Sequence, residues 1–416
     1  MNQKALINDR KYAFLEHLPS LDEKKAMILC VNERGEKYVC SEELWCSSAS
    51  PAEQTAPIHA HSSAHEKIKF FLSVFKGREN LYAKRYYSTK TGKTGYTPVC
   101  RNEWVPGLCD KRERRCPDCP NREFLPLTAE VVKAHLIGQD PLCQDVVAIY
   151  PMLEDNTTWL LAADFDEENW QADVAAFCKC CREIGLTPAV ERSRSGNGAH
   201  VWLFFSNPVP AADARRLGSG LLTQTMACRH ELSFASYDRL FPSQDIIPKG
   251  GFGNLIALPF QGQAQKNGNS LFVDERLVPY PDQWAFLSSL PKISPEQLTE
   301  CLQRLCRDGE MGELADTAEK QVPWQRKRTR RKLINADFPV QIKLVLSNLL
   351  YIDKQGFTQA ALNAIKRLAA FSNPEFRTKQ AMRLPVYGIP RVLDCGYEDA
   401  DYIGVPRGCK DALMEL

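Results

Sequence analysis

Two apolar runs between Thr157 and Phe205 limit what this chain can fold into more than any other stretch. The first, Trp159 to Ala163, ends in Asp164-Phe165-Asp166, and residues i and i+2 of a strand point to the same face. Two carboxylates therefore leave the end of a buried strand side by side. Like charges that close are costly unless a cation neutralises them or one takes up a proton. The second run, Val201 to Phe205, follows the loop Ser193-Arg194-Ser195-Gly196-Asn197-Gly198 and His200. That loop can present backbone N–H groups and Arg194 to phosphates. Its shortness makes Ala189 to Ser193 and Ala199 to Phe205 an antiparallel hairpin. Together these features predict a divalent-metal site beside a phosphate-binding loop.

Between the runs, Trp170, Val174, Phe177, Cys178 and Cys181 fall on one face of a helix that packs back on the sheet. Cys178, Cys180 and Cys181 look like metal ligands by proximity, but only Cys178 and Cys181 share a helical face. Core packing is the better reading. The chain has 16 cysteines in 416 residues. Its N-terminus, MNQKALINDRKYAF, lacks the apolar core of a signal peptide. Reduced thiols and a cytoplasmic location are the expectation, with the cysteines left for metal ligation or packing. No apolar run approaches the roughly 18–20 residues of a membrane span, so no membrane partner is expected. The formal charge of +2 is near neutral, so nucleic acid would have to be met by local basic patches.

One such patch is Tyr82 to Tyr96, where Lys84, Arg85, Lys90 and Lys93 interleave with Tyr82, Tyr86, Tyr87 and Tyr96. Cations meet phosphates and rings stack on bases; a solvated hairpin with half-buried tyrosines is the alternative. Directly after it come Cys100, Cys109, Cys116 and Cys119, spaced x8, x6 and x2 in a polar, charged loop. Four thiolates so placed complete a tetrahedron for structural zinc, a closed site with no catalytic position. Lys111, Arg112, Arg114 and Arg115 in the same loop can touch a nucleic-acid backbone. Further on, Asp238 and Asp245 flank Phe241-Pro242, and Lys249-Gly250-Gly251-Phe252-Gly253 is a second cationic, backbone-rich loop. A third carboxylate from here would complete a site for one or two metals.

The organisation expected is an N-terminal segment and linker over 1–63, a core over 64–294, a helix and basic linker over 295–335, and a helical region over 336–416. The N-terminal segment reads as strand, turn and strand around Asn32-Glu33-Arg34-Gly35. A Ser/Ala/Pro-rich linker carrying His59, His61 and His65 follows, and Ile68, Phe71, Leu72 and Phe75 then mark a helix. Thr128 reads as the N-cap of another. Six cations between Arg326 and Lys332 are a solvated linker or a basic tether for template.

Asp164-x-Asp166, the Gly198-Ala199-His200 junction and an aspartate ahead of Leu255-Ile256-Ala257-Leu258-Pro259 resemble the three motifs of archaeo-eukaryotic primases. The wording around them is closer to the primase-polymerases of TOTE conflict systems and to CRISPR-associated primase-polymerases, over roughly His65 to Ser294. The resemblance implies an α/β (α+β) fold: a primase-polymerase core with an RRM-like half and a zinc-binding loop, followed by the helical C-terminal region. It implies catalysis by Asp164, Asp166 and Asp245 on Mg2+ or Mn2+, with Asp238 as the alternative to Asp245. His200, Arg194, Ser195 and Lys249 would hold the nucleotide, and Cys100, Cys109, Cys116 and Cys119 would hold Zn2+. Implied partners are a single-stranded or primed DNA template, NTP or dNTP, and a helicase or CRISPR adaptation proteins. Two positions depart from the pattern. Gly198 stands where a serine is usual, leaving any hydroxyl to Ser193 or Ser195, and Ala257 stands where an arginine is common. The region from Phe338 resembles the lead-in to a superfamily-two helicase, but no phosphate-loop motif of a motor follows before Leu416, so the motor is expected to be absent.

The leading expectation is thus a template-dependent nucleotidyltransferase. A zinc-bearing nucleic-acid-binding module without catalysis is the non-enzymatic alternative. A metal-dependent glycosyltransferase also uses Asp-x-Asp, but leaves the cysteine loop and the Lys-Gly-Gly loop without a purpose.

Overall fold

A computed structural model describes residues 4–7, 10–18, 27–32, 34–41, 57–305 and 333–416. The basic run Arg326 to Lys332 and much of the Ser/Ala/Pro-rich linker lie outside the described residues. The chain divides into two compact units, residues 1–63 with 282–289, and residues 64–281 with 290–416.

The first unit is an antiparallel sheet of β1 (Lys4–Ile7), β2 (Arg10–Leu18), β3 (Met27–Asn32) and β4 (Lys37–Ser41), paired in that order. The expected hairpin is β3–β4. Its turn is organised by Asn32, whose side-chain oxygen accepts from the amides of Arg34 and Glu36 at 3.0 and 2.9 Å. Gly35 supplies the positive φ of +80° that the turn requires.

The second unit contains the Asp-x-Asp strand. Helix α1 (Ala64–Val74) leads into the hairpin β5 (Ala83–Tyr87) and β6 (Thr94–Pro98), and the cysteine loop follows. Helix α2 (Ala129–Ile137) is capped by Thr128, as expected, with the side chain accepting from the Val131 amide. Then come β7 (Val147–Ile149), β8 (Thr157–Phe165), α3 (Trp170–Glu183), β9 (Ala189–Arg192), β10 (Ala199–Pro210) and α4 (Ala211–Cys228). Three short strands, β11 (Leu240–Phe241), β12 (Ile256–Ala257) and β13 (Leu271–Val273), precede α5 (Pro295–Leu305).

The central sheet runs β11-β8-β10-β9-β13, antiparallel throughout, and a second sheet runs β12-β7-β5-β6. Period-two alternation sorts the central sheet into two faces. Leu161, Ala163, Phe165, Val201, Leu203 and Phe205 join one core with Trp170, Val174 and Phe177 of α3 and Leu217, Leu221 and Leu222 of α4. On the other face Trp202 and Phe204 meet the ring of Phe75 edge-on, at 5.2 and 5.6 Å between centroids. A strand buried on both faces explains why its residues read as a continuous apolar run, each large side chain contributing about 1.5–3 kcal/mol. Cys178 and Cys181 are buried in the core, and so is Cys180, which the helical face did not predict. Cys180 lies toward Thr225 and Cys228 of α4, and burial pushes its thiol up to about 11 and that of Cys178 up to about 12.

The region from 336 is not purely helical. β14 (Leu344–Leu346), β15 (Leu350–Asp353), β18 (Tyr397–Glu398) and β19 (Tyr402–Val405) form a sheet in the order β14-β15-β19-β18. Between them lie α6 (Gln359–Leu368), α7 (Pro374–Ala381) and the pair β16 (Ala370–Ser372) and β17 (Val392–Asp394). The correction has a local cause. Ser347-Asn348 breaks the apolar run into a tight turn, with the Ser347 amide donating to Leu349 O at 2.8 Å. The residues on either side are β-branched, leucine or aromatic, which suits strands. Among the described residues no helix is long and apolar enough to cross a membrane.

Candidate active site

The register of β8 against β10 places His200 directly opposite Asp164 and Trp202 opposite Ala162. Directly opposed residues share a face, so histidine and carboxylate leave the sheet together. The His200 Nε2 atom stands 3.7 Å from Asp164 Oδ1. The register of β10 against β9 puts Glu191 opposite His200 on its other side, and Glu191 Oε2 accepts from Nδ1 at 2.8 Å. Arg239, just ahead of β11, completes the group. Its carbonyl accepts from the Asp164 amide at 3.0 Å, and its guanidinium lies 2.5 Å from Asp166 Oδ2 and 3.7 Å from Asp164 Oδ2.

The glycine-punctuated loop has a steric reason at this spot. A Cβ on Gly198 would sit 2.6 Å from the Phe165 carbonyl and 3.1 Å from the Asp166 Cα, so only glycine lets the loop close over the Asp-x-Asp turn. The expected hydroxyls are spent within the loop: Ser193 Oγ and Ser195 Oγ are 3.1 Å apart, and Ser195 Oγ accepts from the Asn197 amide at 3.4 Å. Arg194 lies against Tyr96 of β6, whose phenol burial pushes up and that guanidinium partly restores.

Electrostatics follow from this packing. Burial raises the Asp164 carboxyl, with Asp166 and Glu191 adding to the rise and His200 and Arg239 opposing it. Burial pulls His200 down, but Glu191, Asp164 and Asp166 outweigh it and the imidazole ends raised. The like-charge cost foreseen for Asp-x-Asp is offset here by the His200 imidazole and the Arg239 guanidinium, both of which oppose the rise at Asp164.

The other expected ligands are placed differently. Asp245 is buried against Arg215 of α4, whose Nε donates to its carboxylate. Burial works against its charge, but Arg215 and Arg391 hold the carboxyl below its ordinary value. Asp238 accepts from the Arg391 amide at 2.9 and 3.2 Å. Among the described residues no hydrogen bond or ion pair joins either aspartate to Asp164 or Asp166. The Lys249 side chain is exposed and its amide donates to Arg383 O at 3.1 Å. Cys100, Cys109, Cys116 and Cys119 do converge, lining one cavity with Leu108, Lys111 and Phe124. Burial raises the Cys116 thiol, Cys109 and Cys100 add to the rise, and Lys111 opposes it. The Glu123 amide donates to Cys100 Sγ at 3.3 Å. Even so, among the described residues no three His, Cys, Asp or Glu side chains are grouped closely enough to hold a metal ion.

Two residues of the site were not singled out from sequence. Glu191 is signalled only by counting the hairpin register back from His200. Arg239 is signalled by adjacency to Leu240, once that dipeptide is known to pair with β8.

A carboxylate pair at a sheet end is thus flanked by a histidine, an arginine and a glycine-cradled loop, on a core of two antiparallel sheets. A family profile described as "TOTE conflict system, Archaeo-Eukaryotic Primase domain" matches residues 66–301. The chain belongs to that family. No curated protein matches the sequence. Among solved structures, the polymerase domain from Mycobacterium tuberculosis ligase D, in complex with DNA, is similar over 61% of this chain and 90% of its own, with 14% identity and a TM-score of 0.28. That likeness carries no argument here.

Proposed function

We propose that the chain is a template-dependent primase-polymerase that joins nucleoside triphosphates to a primer 3′-hydroxyl on DNA. The observation that carries this reading is the level placement of Asp164 and His200 across β8 and β10, with Nε2 3.7 Å from the carboxylate. Asp164 and Asp166 supply the oxygen donors that Mg2+ or Mn2+ prefers. Bound there, such a cation supplies Lewis acidity to the attacking hydroxyl and charge neutralisation to the triphosphate. His200 donates from Nε2 to a phosphate oxygen. Arg239, now spent on the carboxylates, becomes available to the triphosphate once those charges are met otherwise. Arg194 and the exposed Lys249 add positive charge for the nucleotide, and Ser195 shapes the loop. Asp245 enters as the third carboxylate only by exchanging Arg215 for a cation. The β5–β6 hairpin is the candidate template track through Tyr86, Lys90 and Lys93, which are exposed, whereas Tyr82 is buried and Tyr87 and Tyr96 are half-buried.

The four loop cysteines fit Zn2+ in donor type and in lining one cavity, and would form a closed structural site. The helicase and CRISPR adaptation partners rest on the sequence resemblance alone.

The test is incubation with labelled NTP or dNTP, Mg2+ or Mn2+, and primed or unprimed template. Extension of the primer is expected. Template binding without any incorporation under either metal would favour the non-catalytic binding module.

A further inference from the structure

Glu191 is 2% exposed, and among the described residues neither lysine nor arginine pairs with it. Burying a carboxylate without such a partner is costly, so what it does bond to is informative. Glu191 Oε2 accepts from His200 Nδ1 at 2.8 Å and from Trp202 Nε1 at 3.0 Å, while Ser270 Oγ stands 3.4 Å from Oε1. The strand ladder delivers all three: Glu191 lies opposite His200 on β10 and opposite Phe272 on β13, two residues beyond Ser270. A carboxylate fixed in this way leaves the imidazole one orientation. Nδ1 is bound to the protein, and Nε2 is the nitrogen turned toward Asp164.

We infer that Glu191 is a positioning residue, holding His200 so that Nε2–H is presented to a phosphate oxygen of an incoming nucleoside triphosphate. This rests on the primase-polymerase reading for the identity of the ligand. Trp202 is the control in the arrangement: its indole bonds the same carboxylate oxygen, 5.9 Å ring to ring from His200, but does not touch the imidazole nitrogens. Without Glu191 the imidazole is free to turn about its own axis and donate elsewhere. The pocket then keeps its charge pair and its packing but loses a directed donor.

Because His200 acts on the nucleotide and not on the template, the two affinities separate the roles. The binding of a fluorescent nucleoside triphosphate in the presence of Mg2+, and of single-stranded DNA, is measured for the parent, Glu191→Gln, His200→Ala, the double variant and Trp202→Phe. Expected is an about tenfold weaker nucleotide affinity in Glu191→Gln, the size of one charge-assisted hydrogen bond, with DNA affinity unchanged. The double variant should bind nucleotide no more weakly than His200→Ala alone, because both changes remove one donor. Trp202→Phe, which takes away an indole bond but not the His200 bond, should stay within about twofold of the parent. Should Glu191→Gln not fold, Glu191→Asp, which keeps the charge but withdraws the carboxylate, is read the same way.

Losses that multiply in the double variant, or Trp202→Phe losing as much as Glu191→Gln, would overturn the inference and make Glu191 a structural residue. A parent that binds nucleotide with this pattern yet extends no primer would leave the inference standing and sink the polymerase reading. A parent that extends primers with multiplying losses would do the reverse, and a parent that neither binds nor extends would sink both.

Discussion

At the end of the central sheet, Asp164, His200 and Glu191 stand level across three neighbouring strands, each placed by ladder register. The segment Asp238 to Lys249, which brings Arg239 to the carboxylates, is built differently. Only Leu240 and Phe241 of it join the sheet. Asp238 accepts from the Arg391 amide, Asp245 is paired with Arg215, and Lys249 is tied through its amide to Arg383. Register positions a side chain from a few residues of local sequence, whereas these three bonds reach to another helix or to the C-terminal region. The Asp164–Asp166 pair, proposed as catalytic, and the candidate third carboxylate are therefore anchored by different parts of the molecule, and substitutions should separate them.

The largest expected effect falls on the second arrangement. Arg215→Ala takes from the buried Asp245 carboxylate its direct ion-pair partner, leaving only Arg391 and Gln380 to oppose its burial, and removing one partner of a buried pair costs about 3–5 kcal/mol. A fall in Tm of many degrees is expected, measured by thermal melting. A stable variant with unchanged melting would mean that Asp245 is free to serve a metal instead. Next is Gly198→Ala. Its Cβ would meet the Phe165 carbonyl and the Asp166 backbone, so the loop must lift from the carboxylates. Overpacking of this kind costs about 1–3 kcal/mol. Here nucleotide incorporation should fall further than that stability loss accounts for, as seen by comparing primer extension with melting. Incorporation at the parental rate would show that the close approach is dispensable.

The smallest effect probes the C-terminal region that holds the second arrangement. Glu398 is surrounded by His230, Lys366 at 2.6 Å and Lys354 at 3.1 Å. Burial raises its carboxyl, but these hydrogen bonds outweigh it and hold it at about 2, below its ordinary 4.5. A lowered folded-state value contributes stability that is full above pH 4.5 and lost as pH falls toward 2. After allowance for solvent screening this is about 1–2 kcal/mol. Denaturant unfolding should show the parent losing stability over that window more steeply than Glu398→Gln. Parallel curves would remove Glu398 from the docking of this region.

The same contrast explains what could be read from sequence. The Asp-x-Asp strand, the hairpin to His200 and the core-facing α3 were legible because period-two and period-3.6 patterns and one short loop specify them locally. Convergence of the four cysteines was legible from spacing, although their side chains are not grouped as a metal would require. The resemblance points to Asp245 as the third carboxylate, and no spacing rule reveals that Arg215, thirty residues upstream on α4, already holds it. Arg239 is not legible because its neighbour Leu240 pairs with Ala163 of β8, 77 residues away in the chain. The strands after Phe338 were misread as helix because leucine-rich runs satisfy both periods, and only the Ser347-Asn348 turn decides between them.

The central claim is that the carboxylate pair at the sheet end carries nucleotidyl transfer. It is tested most directly by primer extension with the Asp164→Ala, Asp166→Ala double variant, alongside its melting temperature. Incorporation is expected to be lost while melting stays that of the parent. Extension at the parental rate by the folded double variant would contradict it.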